Sequence, residues 1–206
     1  ISVMGQWAKD FNVFIVAGSV PYLCENNDEK VLAACFVLSP AGQIISQYNK
    51  VHLFDVFVGD EKGRYRESDT FIPGNKPVVV EVEDTKLGLS ICYDLRFPEL
   101  YQAYQKNNCQ LITVPSAFTY ETGKAHWEIL LRARAIETQS YILAANQGGV
   151  HDDGRRTWGR SMVVAPDGKI LAKIDGEQET IVTAELDFEK QASLREAMPL
   201  LQHKKL

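Results

Sequence analysis

The 206-residue chain is 45% apolar and 24% charged, the composition of a protein that buries a core and far from that of a disordered chain. A net charge of −5 argues against nucleic acid or an anionic membrane as the main partner, since both need a basic face; the one basic cluster, His203-Lys204-Lys205, closes the sequence. No apolar run approaches the roughly 18 residues that span a bilayer, and the best candidate, residues 13–23, is broken by Gly18, Ser19 and Pro21.

In chain order, strand-like runs are expected at residues 13–17, 32–38, 43–48, 78–82 and 87–92. A helix follows at 98–106, opening on Pro98 and Glu99, which suit a first turn. A strand at 111–114 precedes the longest helix, 124–139, where Trp127, Leu130, Leu131, Arg134, Ala135 and Thr138 recur at helical spacing. Four more strands are expected at 141–145, 161–165, 170–174 and 181–186. Pro40-Ala41-Gly42 and Pro166-Asp167-Gly168 read as hairpin turns. The mixture predicts an α/β protein, one domain over residues 1–206, with one sheet or two left open by the pattern.

The four cysteines (Cys24, Cys35, Cys92, Cys109) form no CxxC pair and no metal-ligand spacing with the four histidines. Reduced thiols in a cytoplasmic setting are therefore expected, with no metal and no cofactor. Cys35 and Cys109 sit in apolar runs and read as core, and Cys24 lies in a polar turn. Cys92 ends an apolar run just before the helix at Pro98. From its local pattern it is either a small buried hydrophobe or a thiol activated at a strand-to-helix turn, where backbone N–H groups can face an oxyanion.

Longer motifs decide between these. Gly88-Leu89-Ser90-Ile91-Cys92-Tyr93-Asp94-Leu95-Arg96-Phe97-Pro98-Glu99 resembles the nucleophile signature of nitrilase-superfamily (carbon–nitrogen hydrolase) amidases. Tyr48-Asn49-Lys50-Val51-His52-Leu53-Phe54-Asp55 resembles the segment that carries their lysine. Pro115-Ser116-Ala117-Phe118, Thr122-Gly123-Lys124-Ala125-His126-Trp127 and Arg132-Ala133-Arg134-Ala135-Ile136-Glu137 match further blocks in order. So do Asn146-Gln147 and residues 159–168. Cys92-Tyr93-Asp94, in place of Cys-Trp-Glu, is similar to the Nit-type branch, the omega-amidases and deaminated-glutathione amidases.

The resemblance implies a four-layer α-β-β-α sandwich and a Glu-Lys-Cys triad with a second Glu. Cys92 would be the nucleophile, Lys50 the lysine and Glu67 the second Glu, with the Tyr93 backbone N–H at the oxyanion. Arg96, Phe118 and Thr122 would bind a small, carboxylate-bearing amide; a salt bridge from Arg96 to Glu99 is the alternative for that arginine. The triad's first Glu has no match, so the sequence is expected to begin downstream of that Glu, with its strand and helix. A non-catalytic interaction protein or a carbamoylase keeps the same motifs. His52 is expected to support the site and His126 to be buried and hydrogen-bonded. A homodimer or larger homo-oligomer is implied, with residues 187–206 at subunit contacts.

Overall fold

The structure, a computed structural model, describes residues 1–24, 27–58, 63–176 and 180–205. Helix α1 (Ser2–Phe11) leads into β1 (Ile15–Cys24), β2 (Asn27–Leu38) and β3 (Ile44–Asn49). A ribbon of β4 (Asp55–Phe57) and β5 (Arg64–Arg66) follows, then β6 (Phe71–Ile72), β7 (Val79–Val82) and β8 (Thr85–Leu89). Next come α2 (Pro98–Lys106), β9 (Leu111–Thr113), α3 (Tyr120–Thr138) and β10 (Tyr141–Ala144). The remainder is β11 (Gly148–Val150), β12 (Arg156–Trp158), β13 (Met162–Val164), β14 (Ile170–Lys173), α4 (Phe188–Ala197) and α5 (Leu200–His203).

Two sheets carry the architecture. One runs β1-β2-β3, with β6 parallel to β2; the other runs β14-β13-β10-β9-β8-β7, parallel at β8, β9 and β10 and antiparallel toward both edges. β2 shows why its sequence is apolar almost throughout. Side chains alternate across a strand, and here both faces are covered. Ala34, Phe36 and Leu38 join Ala8 of α1 in one cluster. Cys35 and Val37 join Tyr48, Leu87, Leu89 and Ile91 in a second cluster between the sheets. On the far side of the six-stranded sheet, Ile112 and Ile142 pack with Tyr101 and Tyr104 of α2 and with Trp127 and Leu131 of α3. The clusters thus order the layers as helix, sheet, sheet, helices.

Several expected elements shift. The strand expected at 13–17 begins at Ile15 and runs on to Cys24. The run expected at 87–92 leaves its ladder after Leu89, and the long helix starts at Tyr120, four residues early. Residues 181–186 keep their alternation, with Val182, Ala184 and Leu186 half-buried and Ile181 exposed, yet form no ladder among the described residues. The chain end docks through polar side chains on carbonyls. Gln191 donates to the Gln110 and Gln139 oxygens (2.9 and 2.8 Å), and Arg195 to those of Gln139 and Cys109 (3.1 and 2.5 Å). Leu194, Leu200 and Leu201 are half-buried, and Met198 is exposed. No helix of the described residues is long and apolar enough to cross a membrane.

Gly88 lets α2 lie close to β8. A Cβ at that position would stand 2.8 Å from the Tyr104 ring, and the Tyr104 hydroxyl donates to the Leu89 carbonyl, fixing helix to strand. Gly88→Val should therefore cost about 1–3 kcal/mol of stability through overpacking, read as a lower urea midpoint at unchanged m. An unchanged midpoint would show that the helix does not depend on this contact.

Candidate active site

Beyond Leu89 the chain continues through Ser90 and Ile91 into a 3-10 turn, Cys92–Arg96, before α2 begins at Pro98. Cys92 opens that turn, between the end of β8 and the start of α2. Its φ of 50° is the left-handed region, uncommon for a side-chain-bearing residue. The surroundings enforce it: the Cys92 N–H donates to the Pro115 carbonyl (2.9 Å), and Ser90 donates to the Thr113 carbonyl from both its N–H (3.1 Å) and its hydroxyl (2.8 Å). Burial pushes the Cys92 thiol up; the Lys50 ammonium and the Ala117 N–H pull it back, while Glu67 and Asp94 raise it further. Cys35 is likewise pushed up to about 12 and Cys109 to about 11 by burial, which fits their place in the core.

Lys50 follows β3 and is only 3% exposed. Its backbone is held on both sides, the N–H donating to Ala33 (2.9 Å) and the carbonyl accepting from Gly74 (2.7 Å). A buried ammonium needs a countercharge. Glu67 supplies it, with Oε2 2.5 Å from the lysine Nζ. The same oxygen accepts the Phe54 N–H (2.6 Å), so the carboxylate is anchored as well as paired.

A residue given no role by its sequence context holds these parts together. Asp94 is fully buried. Its Oδ2 accepts from the Tyr48 hydroxyl (2.7 Å) and the Ile91 N–H (2.9 Å), and its Oδ1 accepts from the His52 N–H (3.0 Å) and lies 2.8 Å from His52 Nδ1. Burial and the neighbouring Asp94 charge both push the Tyr48 phenol up, so it stays a donor. Asp94 thereby ties the segment flanking Lys50 to the turn that presents Cys92. The available signal was an acid three residues after Ile91, the spacing at which a side chain turns back on the N–H opening a turn.

Cys92, Lys50 and Glu67 line one cavity of about 680 Å³, together with Tyr93, Arg96, Phe118 and Thr122. Arg96 has no carboxylate partner among the described residues, and the alternative salt bridge to Glu99 does not form. Its guanidinium stands 5.4 Å over the Phe118 ring and 5.9 Å over Tyr93, with Nη1 3.2 Å from His126 Nδ1. Burial lowers its pKa. His126 is exposed, a correction to the buried role expected of it: the start of α3 turns its ring toward Arg96 and away from the core. His52 is held by Asp94 and stacks on Phe97 at 3.7 Å, outside the cavity lining. The Phe118 N–H donates to Asn146 Oδ1 (3.0 Å), whose amide donates to the Gly159 carbonyl (2.6 Å), so this part of the lining is fixed too. The Thr122 hydroxyl bonds that of Thr119 at 2.7 Å. Among the described residues, no three His, Cys, Asp or Glu side chains converge as a metal site requires.

Residues 3–196 match the family model described as carbon-nitrogen hydrolase. The chain belongs to the carbon-nitrogen hydrolase family. Within it, the chain is 41% identical over 198 residues to the deaminated glutathione amidase of Yersinia enterocolitica, covering 96% of this chain and 69% of that one. It is 40% identical to omega-amidase NIT2 of Xenopus tropicalis, covering 96% and 70%. The crystal structure of the C. elegans NitFhit protein superposes with a TM-score of 0.91 at 38% identity, covering 98% of this chain and 49% of that longer one. The chain thus spans about 70% of the length of these two amidases and about half of the NitFhit chain.

Asp94→Asn replaces a four-fold acceptor with an amide that has one oxygen. Its NH₂ would face either the Tyr48 hydroxyl and the Ile91 N–H or, turned over, the His52 N–H, leaving buried donors unmet at roughly 1–3 kcal/mol each. The variant should lose at least about 2 kcal/mol of stability by urea denaturation, and its Cys92 should alkylate at an altered rate. Wild-type stability with wild-type alkylation would remove Asp94 from this account.

Proposed function

We propose that this protein hydrolyses the C–N bond of a small, carboxylate-bearing linear amide through a thioester on Cys92. The observation that carries the reading is the buried Lys50 ammonium, paired with the half-buried Glu67, in the lining of the same cavity as the Cys92 thiol. Keeping an ammonium out of water beside a thiol is costly for a fold that needs only packing, and it suits a site where negative charge develops. The deaminated glutathione amidase and omega-amidase relatives favour an amide as substrate, and Arg96, without a carboxylate partner, suits an anionic group on it.

The steps follow from the charges. Burial keeps Cys92 largely protonated at neutral pH, so attack on the amide carbonyl requires a base to take the thiol proton. Glu67 Oε2 is already engaged by Lys50 and Phe54. The family resemblance gives that role to the triad's first Glu, which has no match in this sequence, and leaves Glu67 to hold the lysine. As sulfur bonds to the carbonyl carbon, the oxygen gains a negative charge, which the Lys50 ammonium and the Tyr93 N–H stabilise. The tetrahedral intermediate collapses with cleavage of C–N; the nitrogen takes the stored proton and leaves as ammonia. Water then attacks the thioester, releasing the acid and restoring the thiol.

Cys92→Ala should abolish ammonia release while the circular dichroism spectrum stays native. Lys50→Met should lower kcat by roughly 10²–10³-fold, the scale of one lost oxyanion donor. Continued turnover by the Cys92→Ala protein would mean that another group is the nucleophile.

A further inference from the structure

Arg96 meets the cavity as an unneutralised cation, and what holds it there is a neutral side chain. Its guanidinium is half-buried in the lining, has no carboxylate partner among the described residues, and lies over two rings, Phe118 at 5.4 Å and Tyr93 at 5.9 Å. Ring faces attract a cation without fixing its rotation. The one hydrogen bond that the guanidinium makes among the described residues runs from Nη1 to His126 Nδ1, at 3.2 Å. Arginine carries donors only, so Nδ1 is the acceptor and the imidazole is neutral, with its proton on Nε2.

The acceptor stands on a fixed base. His126 is exposed and outside the cavity lining, yet it precedes Trp127, which is fully buried and donates from Nε1 to the Arg160 carbonyl (2.9 Å). Further along α3, Arg134 Nε donates to the carbonyl of Leu95 (3.1 Å), the residue before Arg96. Helix and turn are thus locked together beside the pair. A carboxylate in place of the imidazole would grip the guanidinium harder, but it would cancel the charge and occupy the fork that an incoming anion needs. A neutral acceptor takes one N–H of the five and leaves the charge in place.

We infer that His126 is a positioning residue, whose neutral imidazole orders the Arg96 guanidinium to receive a substrate carboxylate without neutralising it. The inference rests on the carboxylate-bearing amide proposed above and adds the group that prepares the arginine for it. Ordering a long side chain in advance raises affinity, because that entropy is no longer lost on binding.

The test reads binding in the Cys92→Ala protein, where no turnover is needed. An NMR titration would compare glutaramate with glutaramide, which has the same length and carries a neutral amide in place of the carboxylate. With His126 present, the acid should bind about ten-fold tighter or more, the scale of one charge-assisted hydrogen bond. His126→Leu removes the acceptor and should lower that ratio about three-fold or more. Asparagine and aspartate both carry an oxygen near the place of Nδ1, have nearly the same shape and differ in charge. His126→Asn should therefore keep most of the ratio, whereas His126→Asp, although it binds Arg96 more strongly, should bring the ratio close to one. A merely structural contact would not tell these two variants apart. The assignment would be overturned by a ratio near one with His126 present, by no binding of either ligand, or by a ratio unmoved in His126→Leu. Equal ratios in the asparagine and aspartate variants, or a loss in His126→Asn as large as in His126→Leu, would overturn it too. Ammonia release is read separately with Cys92 intact; its absence beside the expected ratios would count against the Cys92 mechanism and leave the role of His126 standing.

Discussion

The buried carboxylate of Asp94 is the joint on which the cavity depends. Lys50 follows a strand of the smaller sheet and Cys92 follows a strand of the larger one, 42 positions apart in the chain, so no local rule fixes their separation. Asp94 does so by accepting from Tyr48 and His52 on one side and from Ile91 on the other. In a low-dielectric interior such bonds reinforce one another, and each unmet donor would be costly. The positions of sulfur and ammonium are therefore set by a network in which Asp94, Tyr48 and His52 stand behind the cavity and Ile91 lines it.

Around that joint the charges are arranged in layers. Glu67 balances Lys50, so the fold can bury the ammonium, and its second bond to Phe54 keeps the carboxylate from swinging away. Burial raises the Cys92 thiol, which keeps it protonated at neutral pH, so the proposed mechanism leaves its activation to a positioned base. The left-handed φ at Cys92 is held by the Pro115 bond and by the Ser90 bonds to Thr113, so backbone strain is sustained where the side chain must face the cavity.

Much of this was legible in the sequence where the controlling forces are local. The uninterrupted apolar run at 32–38 required a strand covered on both faces, and Cys35 and Phe36 do point opposite ways. The motifs around Lys50 and Cys92 indicated a shared site although their spacing could not. The start of α3 was misread because Thr122 and Gly123 are weak helix formers; Gly123 is there because a Cβ would lie 2.2 Å from the Trp158 side chain. Residues 181–186 alternate like a strand, but backbone pairing is a property of the neighbour, which a single segment does not reveal. Asp94 was hidden for the same reason, since its partners lie 42 and 46 residues upstream.

The central claim is covalent catalysis at Cys92, and intact-mass spectrometry of the acid-quenched protein during turnover of a primary amide tests it most directly. The account predicts a transient gain equal to the substrate mass less ammonia, located by peptide mapping on the peptide containing Cys92 and discharged by hydroxylamine. Ammonia release with the acyl group on any other residue, or with no hydroxamate formed when hydroxylamine is added, would contradict it.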